Sequence, residues 1–102
     1  MKDITSSEFF TETDTGISLI DFWSSHCIPC NMLTPLLDKI STEHPEVKFL
    51  KVNVDNEFEL CMRYEIASVP TIVVIKDGKT TGKLVGLPQP AILATFIENN
   101  LK

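Results

Sequence analysis

The fold is decided by one stretch of the chain, Asp21-Phe22-Trp23-Ser24-Ser25-His26-Cys27-Ile28-Pro29-Cys30-Asn31-Met32. It begins inside a nearly continuous apolar run from Ile17 to Trp23, a pattern typical of a β-strand that is covered on both faces. After it, apolar residues recur at helical spacing from Cys30 to Glu43, which predicts the longest helix of the chain. Two cysteines with two residues between them therefore lie where a buried strand passes into a long helix.

This position favours thiol chemistry at the first cysteine. Cys27 falls at the entrance of the helix, where backbone N–H groups lack intrahelical partners and stabilise a thiolate. Cys30 lies one turn inside on the same side, so the two sulfurs can approach as closely as a disulfide requires. Pro29 suits a first turn because the N–H that it lacks would be unpaired there. We predict that Cys27 is the nucleophile and that the more buried Cys30 resolves the mixed disulfide.

A Cys-x-x-Cys pair is also half of a structural zinc site. Such a site needs a second pair of ligands, and the chain offers only Cys61, His26 and His44. We therefore expect no metal at the pair. Cys61 is expected to be a small buried apolar residue outside the catalytic set, with an exposed regulatory thiol as the alternative.

The rest of the chain alternates helices and strands and ends with a hairpin and a helix. The hairpin turn is predicted at Asp77-Gly78. The inward positions of the two long helices are expected to include Met32 and Ile92. The predicted order is a helix from Thr5 to Phe10, a strand from Val47 to Val54, a helix from Glu57 to Tyr64, strands from Thr71 to Ile75 and from Gly82 to Gly86, and a helix from Pro90 to Leu101. This order predicts an α/β fold in which helices flank a central mixed β-sheet on both faces, with residues 1–102 forming one domain.

Composition narrows the possible partners. The 102 residues carry a net charge of -5, which gives no attraction for nucleic acid or for an anionic membrane surface. The N-terminal segment lacks the apolar stretch of a signal peptide, so we expect a cytoplasmic protein. Three cysteines cannot form a closed structural disulfide framework, which leaves a close pair free for catalysis.

The stretch from Asp21 to Met32, together with Pro35, resembles the active-site segment of the thioredoxin family. The resemblance continues in order along nearly the whole chain, through Lys51-Val52-Asn53-Val54-Asp55, Val69-Pro70-Thr71, Lys76-Asp77-Gly78 and Val85-Gly86. It implies a thioredoxin fold and a protein-disulfide reductase that uses no cofactor besides its redox-active disulfide, Cys27-Cys30. It also implies recharging by a thioredoxin reductase and action on disulfide-containing client proteins. Nothing in the sequence demands more than a monomer.

The resemblance assigns two charged residues to the catalytic set. Asp21 matches a buried carboxylate behind the resolving cysteine, where desolvation raises the pKa and lets the group relay a proton to and from Cys30. The alternative is a carboxylate whose oxygens accept bonds from nearby N–H groups. Lys51 matches a lysine that limits this rise in pKa, although a half-exposed strand position also accommodates a lysine.

Four further residues match the family's substrate-facing side. Pro70 corresponds to a cis proline that faces the dithiol, and Val69 to a residue that pairs with the substrate backbone. Trp23 corresponds to the active-site tryptophan and Gly86 to a glycine that borders the docking surface. The structural alternatives are a strand-start proline, a core tryptophan and a turn glycine.

The chain departs from the family beside the nucleophile. Most members carry Trp-Cys-Gly-Pro-Cys-Lys, whereas this chain has His26, Ile28 and Asn31 around Pro29. His26 removes apolar docking surface and adds an ionisable ring, Ile28 adds an apolar side chain, and Asn31 removes a positive charge. We expect His26, Ile28 and Pro29 to contact the substrate. The alternatives are a specialised thioredoxin-like protein with a dedicated client or reductase, a non-catalytic binding subunit, and a metal cluster held between two chains.

Overall fold

The computed structural model describes residues 1–101 and contains one mixed sheet. Its strands are β1 (Lys2–Asp3), β2 (Ile17–Trp23), β3 (Val47–Asn53), β4 (Thr71–Lys76) and β5 (Lys79–Val85), and its helices are α1 (Ser6–Thr13), α2 (Ile28–Ser41), α3 (Phe58–Arg63) and α4 (Pro90–Asn100). The strands lie in the order β1-β3-β2-β4-β5. The predicted α/β architecture with a central mixed sheet is thus confirmed.

The central strand, β2, owes its place to its apolar run. It pairs in parallel with β3 and antiparallel with β4, and all five of its inner residues are buried. Ile20 packs in one core cluster with Phe9 of α1 and Leu60 of α3. Leu19 packs on the other face with Leu33 of α2 and Leu93 of α4. A strand covered on both faces is what the continuous apolar run predicts.

The first strand is absent from the sequence prediction. Lys2 pairs with Leu50, and Asp3 pairs with Lys51, in a parallel ladder at the edge of the sheet. A strand of two residues shows no alternation, so its pattern does not distinguish it from a loop. Its presence places the Asp3 side chain beside the Lys51 side chain.

One strand bound differs from the prediction in a way that affects the sheet. Helix α2 begins at Ile28 with Cys27 as its N-cap, which confirms the predicted place of Cys27 at the helix entrance. Strand β5 begins at Lys79, directly after the Asp77-Gly78 turn, rather than at Gly82. The tight turn allows pairing from Lys76 and Lys79 onward, which extends the hairpin.

Two apolar helix residues predicted to point inward are exposed. Met32 is 57% exposed and Ile92 is 54% exposed. Each lies directly before the inward-facing Leu33 or Leu93, about 100° away around the helix axis. The helix stripes that cover the sheet are therefore narrower than the apolar patterns suggest. Within residues 1–101 no helix has the length and hydropathy needed to cross a membrane.

Candidate active site

The register of the sheet brings several chain segments to one edge. Trp23 at the end of β2 pairs with Asn53 of β3, and Phe22 pairs with Thr71 at the start of β4. Thr71 pairs in turn with Val85 at the end of β5. The residues that lie just beyond these positions are the predicted site residues Cys27, Pro70 and Gly86.

Cys27 and Cys30 form a disulfide at the start of α2. Cys27 is the N-cap, with extended backbone (φ -114°, ψ 107°), and its Sγ accepts a hydrogen bond from the Cys30 N–H at 3.2 Å. The Cys27 carbonyl accepts the Asn31 N–H at 3.1 Å. Pro29 occupies the first turn, as predicted. The start of this helix therefore presents the Cys30 N–H to the Cys27 sulfur, an arrangement that stabilises a thiolate.

The two sulfurs differ in access. Cys27 is partly exposed, whereas Cys30 is 1% exposed. Cys30, Leu33 and Leu37 are the buried residues of α2, spaced three and four apart, so they form the stripe that faces the sheet. This stripe packs on the face that carries Leu19 and, by alternation along β2, Asp21. Cys30 is thus directed toward the sheet and Cys27 toward solvent.

Asp21 is fully buried, with 0% of its surface exposed. Within residues 1–101 neither of its carboxylate oxygens has a hydrogen-bond partner, so the alternative of nearby N–H donors does not apply. Burial raises the pKa of Asp21 from its ordinary 3.8 to about 7; the Lys51 charge opposes this rise and the Asp3 charge adds to it. An acid with this pKa exchanges its proton readily near neutral pH.

Lys51 lies between two carboxylates and against the only tryptophan. It is the register partner of Asp21 on one side and of Asp3 on the other. Its Nζ lies 4.2 Å from the centroid of the Trp23 ring, and the Trp23 Nε1 donates to Asp3 Oδ1 at 2.9 Å. Trp23 therefore connects β1 to the end of β2. Asp3 is a residue that the sequence analysis missed, because its place depends on the register of β1.

The loop before β4 completes the edge. The Val69-Pro70 peptide bond is cis, which is the isomer that the family resemblance implies. Pro70 is buried and Val69 is half-buried. The Gly86 N–H donates to the Pro70 carbonyl at 2.8 Å, and Gly86 has a φ of +90°, which favours glycine. The loop carrying Val69 is therefore held against the end of β5.

The side chains next to Cys27 are open to solvent. His26, Ile28 and Pro29 are exposed, and Ile28 retains 74% of its accessible surface. The three residues surround Cys27 on the chain without covering it. A partner that reaches the Cys27 sulfur must therefore approach these side chains.

An apolar groove of about 570 Å³ begins at Val69 and runs along α3. The exposed Phe58 and Met62 line it, and neither was predicted as a site residue. Cys61 also lines the groove and is a half-buried free cysteine, neither the fully buried residue nor the exposed thiol considered above. Burial raises the pKa of the Cys61 thiol, and the carboxylates of Glu57 and Asp55 add to this rise. Cys61 is therefore a poorer nucleophile than a thiol at a helix start.

The described part of the chain brings together no set of side chains that could ligate a metal ion. Across residues 1–101, no group of three or more His, Cys, Asp or Glu residues is placed to hold a metal ion. The redox-active group is the disulfide itself.

The fold and this site define a thiol-disulfide oxidoreductase that works by dithiol exchange. The thioredoxin family model matches residues 1–99. A thioredoxin from Chlamydia pneumoniae is 35% identical over 100 residues, which cover 98% of each chain. A thioredoxin from Staphylococcus aureus is 32% identical over 99 residues, which cover 96% of this chain and 95% of the relative.

Solved structures agree with the sequence relatives. The oxidised form of mitochondrial thioredoxin 3 from Saccharomyces cerevisiae superposes with a TM-score of 0.89 and 32% identity, covering 97% of this chain and 94% of that chain. A second structure, with a TM-score of 0.89 and 31% identity over the same shares, concerns the thiol resolving mechanism in yeast mitochondrial 1-Cys peroxiredoxin via glutathione/thioredoxin systems. The chain belongs to the thioredoxin family, whose members reduce protein disulfides.

Proposed function

We propose that Cys27 attacks the disulfides of client proteins and that Cys30 resolves the resulting mixed disulfide. The observation that carries these roles is the difference in access, since Cys27 is partly exposed at the helix start while Cys30 is 1% exposed. A bulky protein disulfide reaches only the first of these sulfurs. The pair works without a further cofactor.

The reaction transfers two electrons from the dithiol to the client. The Cys27 thiolate attacks one client sulfur, a Cys27–client disulfide forms, and the other client sulfur leaves as a thiolate that takes up a proton. Cys30 then gives its thiol proton to Asp21 and attacks the Cys27 sulfur. The Cys27-Cys30 disulfide forms, the second client sulfur leaves, and the client is fully reduced.

Asp21 supports the second step because it is a buried base without competing donors. Its pKa of about 7 leaves close to half of the molecules ionised at neutral pH and ready to accept a proton. Cys30 faces the sheet surface that carries Asp21, which makes it the thiol served by this base. Lys51 of β3 is the register partner of Asp21, and the Lys51 ammonium lies against the Trp23 ring at the end of β2.

A thioredoxin reductase regenerates the dithiol, and this protein carries electrons from that enzyme to disulfide-containing clients. Family membership supports these partners. The net charge of -5 favours protein partners over nucleic acid or membranes. We propose a monomer that acts in the cytoplasm, with Val69, Pro70 and Gly86 in contact with the client backbone.

Single cysteine variants test the proposed roles. We expect Cys27→Ser to abolish reduction of a model protein disulfide and Cys30→Ser to accumulate mixed disulfides with clients, which mass spectrometry identifies. Cys61→Ser is the matched control, because it removes a thiol that lies outside the pair, and it should retain turnover. Mixed disulfides on Cys30 in the Cys27→Ser variant, with turnover retained, would overturn the assignment.

A specialised role is the second candidate, and the exposed surface beside Cys27 favours it. His26 and Ile28 replace the tryptophan and glycine of most family members, and both are open to a partner. A dedicated reductase or client that matches these side chains is the expected consequence. Slow recharging by a generic thioredoxin reductase, with normal reduction by small dithiols, distinguishes this candidate from a general reductase.

A further inference from the structure

Three charged side chains form a row across the sheet beside the dithiol. Asp3 of β1 pairs with Lys51 of β3, and Lys51 pairs with Asp21 of β2. Register partners on neighbouring strands project from the same face of a sheet. One lysine therefore lies between two aspartates across the sheet, of which Asp3 is exposed and Asp21 is fully buried.

Trp23 holds the outer carboxylate in this row. Its Nε1 donates to Asp3 Oδ1 at 2.9 Å, and the Lys51 Nζ lies 4.2 Å from the centroid of the same ring. The Lys51 ammonium thus lies against the ring of the same tryptophan that binds Asp3. By contrast, neither carboxylate oxygen of Asp21 accepts a hydrogen bond from any group that the structure describes.

We propose that Asp3 is a positioning residue for the dithiol reaction: it shares the Lys51 charge with Asp21 and so leaves Asp21 able to exchange a proton with Cys30. The inference deepens the proposed function and rests on the proton relay through Asp21. The Asp3 and Lys51 charges act on the pKa of Asp21 in opposite directions, Lys51 lowering it and Asp3 raising it. Without Asp3, Lys51 holds Asp21 ionised to a lower pH.

Few other groups face Asp21. Its register partner on β4 is the apolar Ile72, and the buried residues of α2 are Cys30, Leu33 and Leu37. The buried residues of α4 are Leu93 and Ile97. Among residues 1–101, the charged groups that act on the pKa of Asp21 are Lys51 and Asp3. The titratable group on the helix that covers this face is the Cys30 thiol of the reduced protein.

The test follows the titration of Asp21 by carbon-13 NMR of its carboxyl group, together with the pH dependence of client disulfide reduction. Asp3→Asn keeps an oxygen that accepts the Trp23 hydrogen bond and removes only the charge. We expect the midpoint of the Asp21 titration and the midpoint of the activity profile both to fall by about 0.3 pH unit. This is the Coulomb effect of removing one charge at a distance of about 10 Å, or two strand spacings, in a largely hydrated setting. Asp3→Glu keeps the negative charge and should keep both midpoints at the wild-type values. At about 1 M salt the shift should shrink, because Asp3 is exposed.

Glu46→Gln is the matched control. It makes the same change in net charge at an exposed position before β3, at the opposite end of the strand from Lys51. It should leave both midpoints at the wild-type values. Midpoints in Asp3→Asn that equal the wild-type values, or an equal shift in Glu46→Gln, overturn the proposal.

Asp21→Asn separates this inference from the function on which it rests. If that variant keeps the wild-type pH profile, the relay is wrong and the role of Asp3 falls with it. If it loses the pH-dependent limb while Asp3→Asn leaves both midpoints unmoved, only the role of Asp3 is wrong. Loss of the limb together with a shift in Asp3→Asn supports both.

Discussion

Asp21 lies under the active-site helix with no exposed surface, and within the described residues neither of its oxygens is hydrogen-bonded. Removing a carboxylate from water without a partner costs several kcal/mol, so the group remains protonated to a much higher pH than in water. The raised pKa of about 7 expresses this cost. The same property that weakens the fold lets Asp21 bind and release a proton near neutral pH.

The burial of Asp21 predicts a pH-dependent gain in stability for Asp21→Asn. The folded protein binds its proton up to about pH 7, whereas the unfolded chain loses it near 3.8, so the wild-type free energy of unfolding falls as pH rises between these values. Each unit of this difference in pKa is worth about 1.4 kcal/mol. The stability of Asp21→Asn minus that of wild type should therefore be roughly 4 kcal/mol larger above pH 7 than below pH 4. Denaturant unfolding of the oxidised proteins at a series of pH values measures this. A stability difference that is independent of pH would contradict the buried, unpaired state of Asp21.

At the scale of elements, the site depends on where strands and helices end. The end of β2 leads into α2, the Val69-Pro70 loop leads into β4, and Gly86 follows β5, and the sheet register aligns all three. Three hydrogen bonds hold the loop between α3 and β4. The Gly86 N–H bonds to the Pro70 carbonyl at 2.8 Å, and the Lys83 Nζ donates to the carbonyl oxygens of Tyr64 at 3.1 Å and of Glu65 at 2.9 Å. The loop that we propose contacts the client is thus held in place by β5 and by Gly86 directly after it.

Gly86→Ala separates the backbone role of this glycine from its role in docking. A methyl group there has open space, with nothing within 4 Å, so its cost arises from the φ of +90° and should be about 1 kcal/mol of stability. The matched control is Gly16→Ala, whose φ is +78° with the same open space, in the turn before β2 at the other end of the sheet. We expect similar losses of stability in thermal unfolding, and a raised KM for a client disulfide only in Gly86→Ala. Equal KM values in the two variants would remove Gly86 from the docking surface.

For the whole molecule, the parts that were predictable from sequence are those with a long local signal. The seven-residue strand β2 and the position of Cys27 at a helix start follow from the apolar run and from the spacing of the pair. The cis bond at Pro70 came from the family resemblance, since the trans isomer is the default for any proline. The neighbourhood of Asp3 and Lys51 was not predictable, because β1 is two residues long and its register is set by tertiary pairing. Met32 and Ile92 were wrongly predicted to be buried, because the sequence does not show whether an apolar residue at the border of a helix stripe faces the core or solvent.

The surface that this molecule offers to a reductase differs from that of most family members at His26 and Ile28, and the final prediction concerns that surface. We expect the double variant His26→Trp and Ile28→Gly to raise kcat/KM with a generic thioredoxin reductase by about tenfold, the effect of about 1.4 kcal/mol from one aromatic docking contact. Ile28 is 74% exposed next to Cys27, so its replacement by glycine should let a partner backbone approach the disulfide more closely. Ile92→Ala removes an exposed aliphatic side chain on α4 instead and should leave this rate unchanged. The rate of reduction by dithiothreitol distinguishes docking from reactivity, because a small dithiol does not use the docking surface. If both rates rise together, the substitutions act on the reactivity of the disulfide; if the reductase rate alone rises, the partner range of this protein is set by the two side chains beside Cys27.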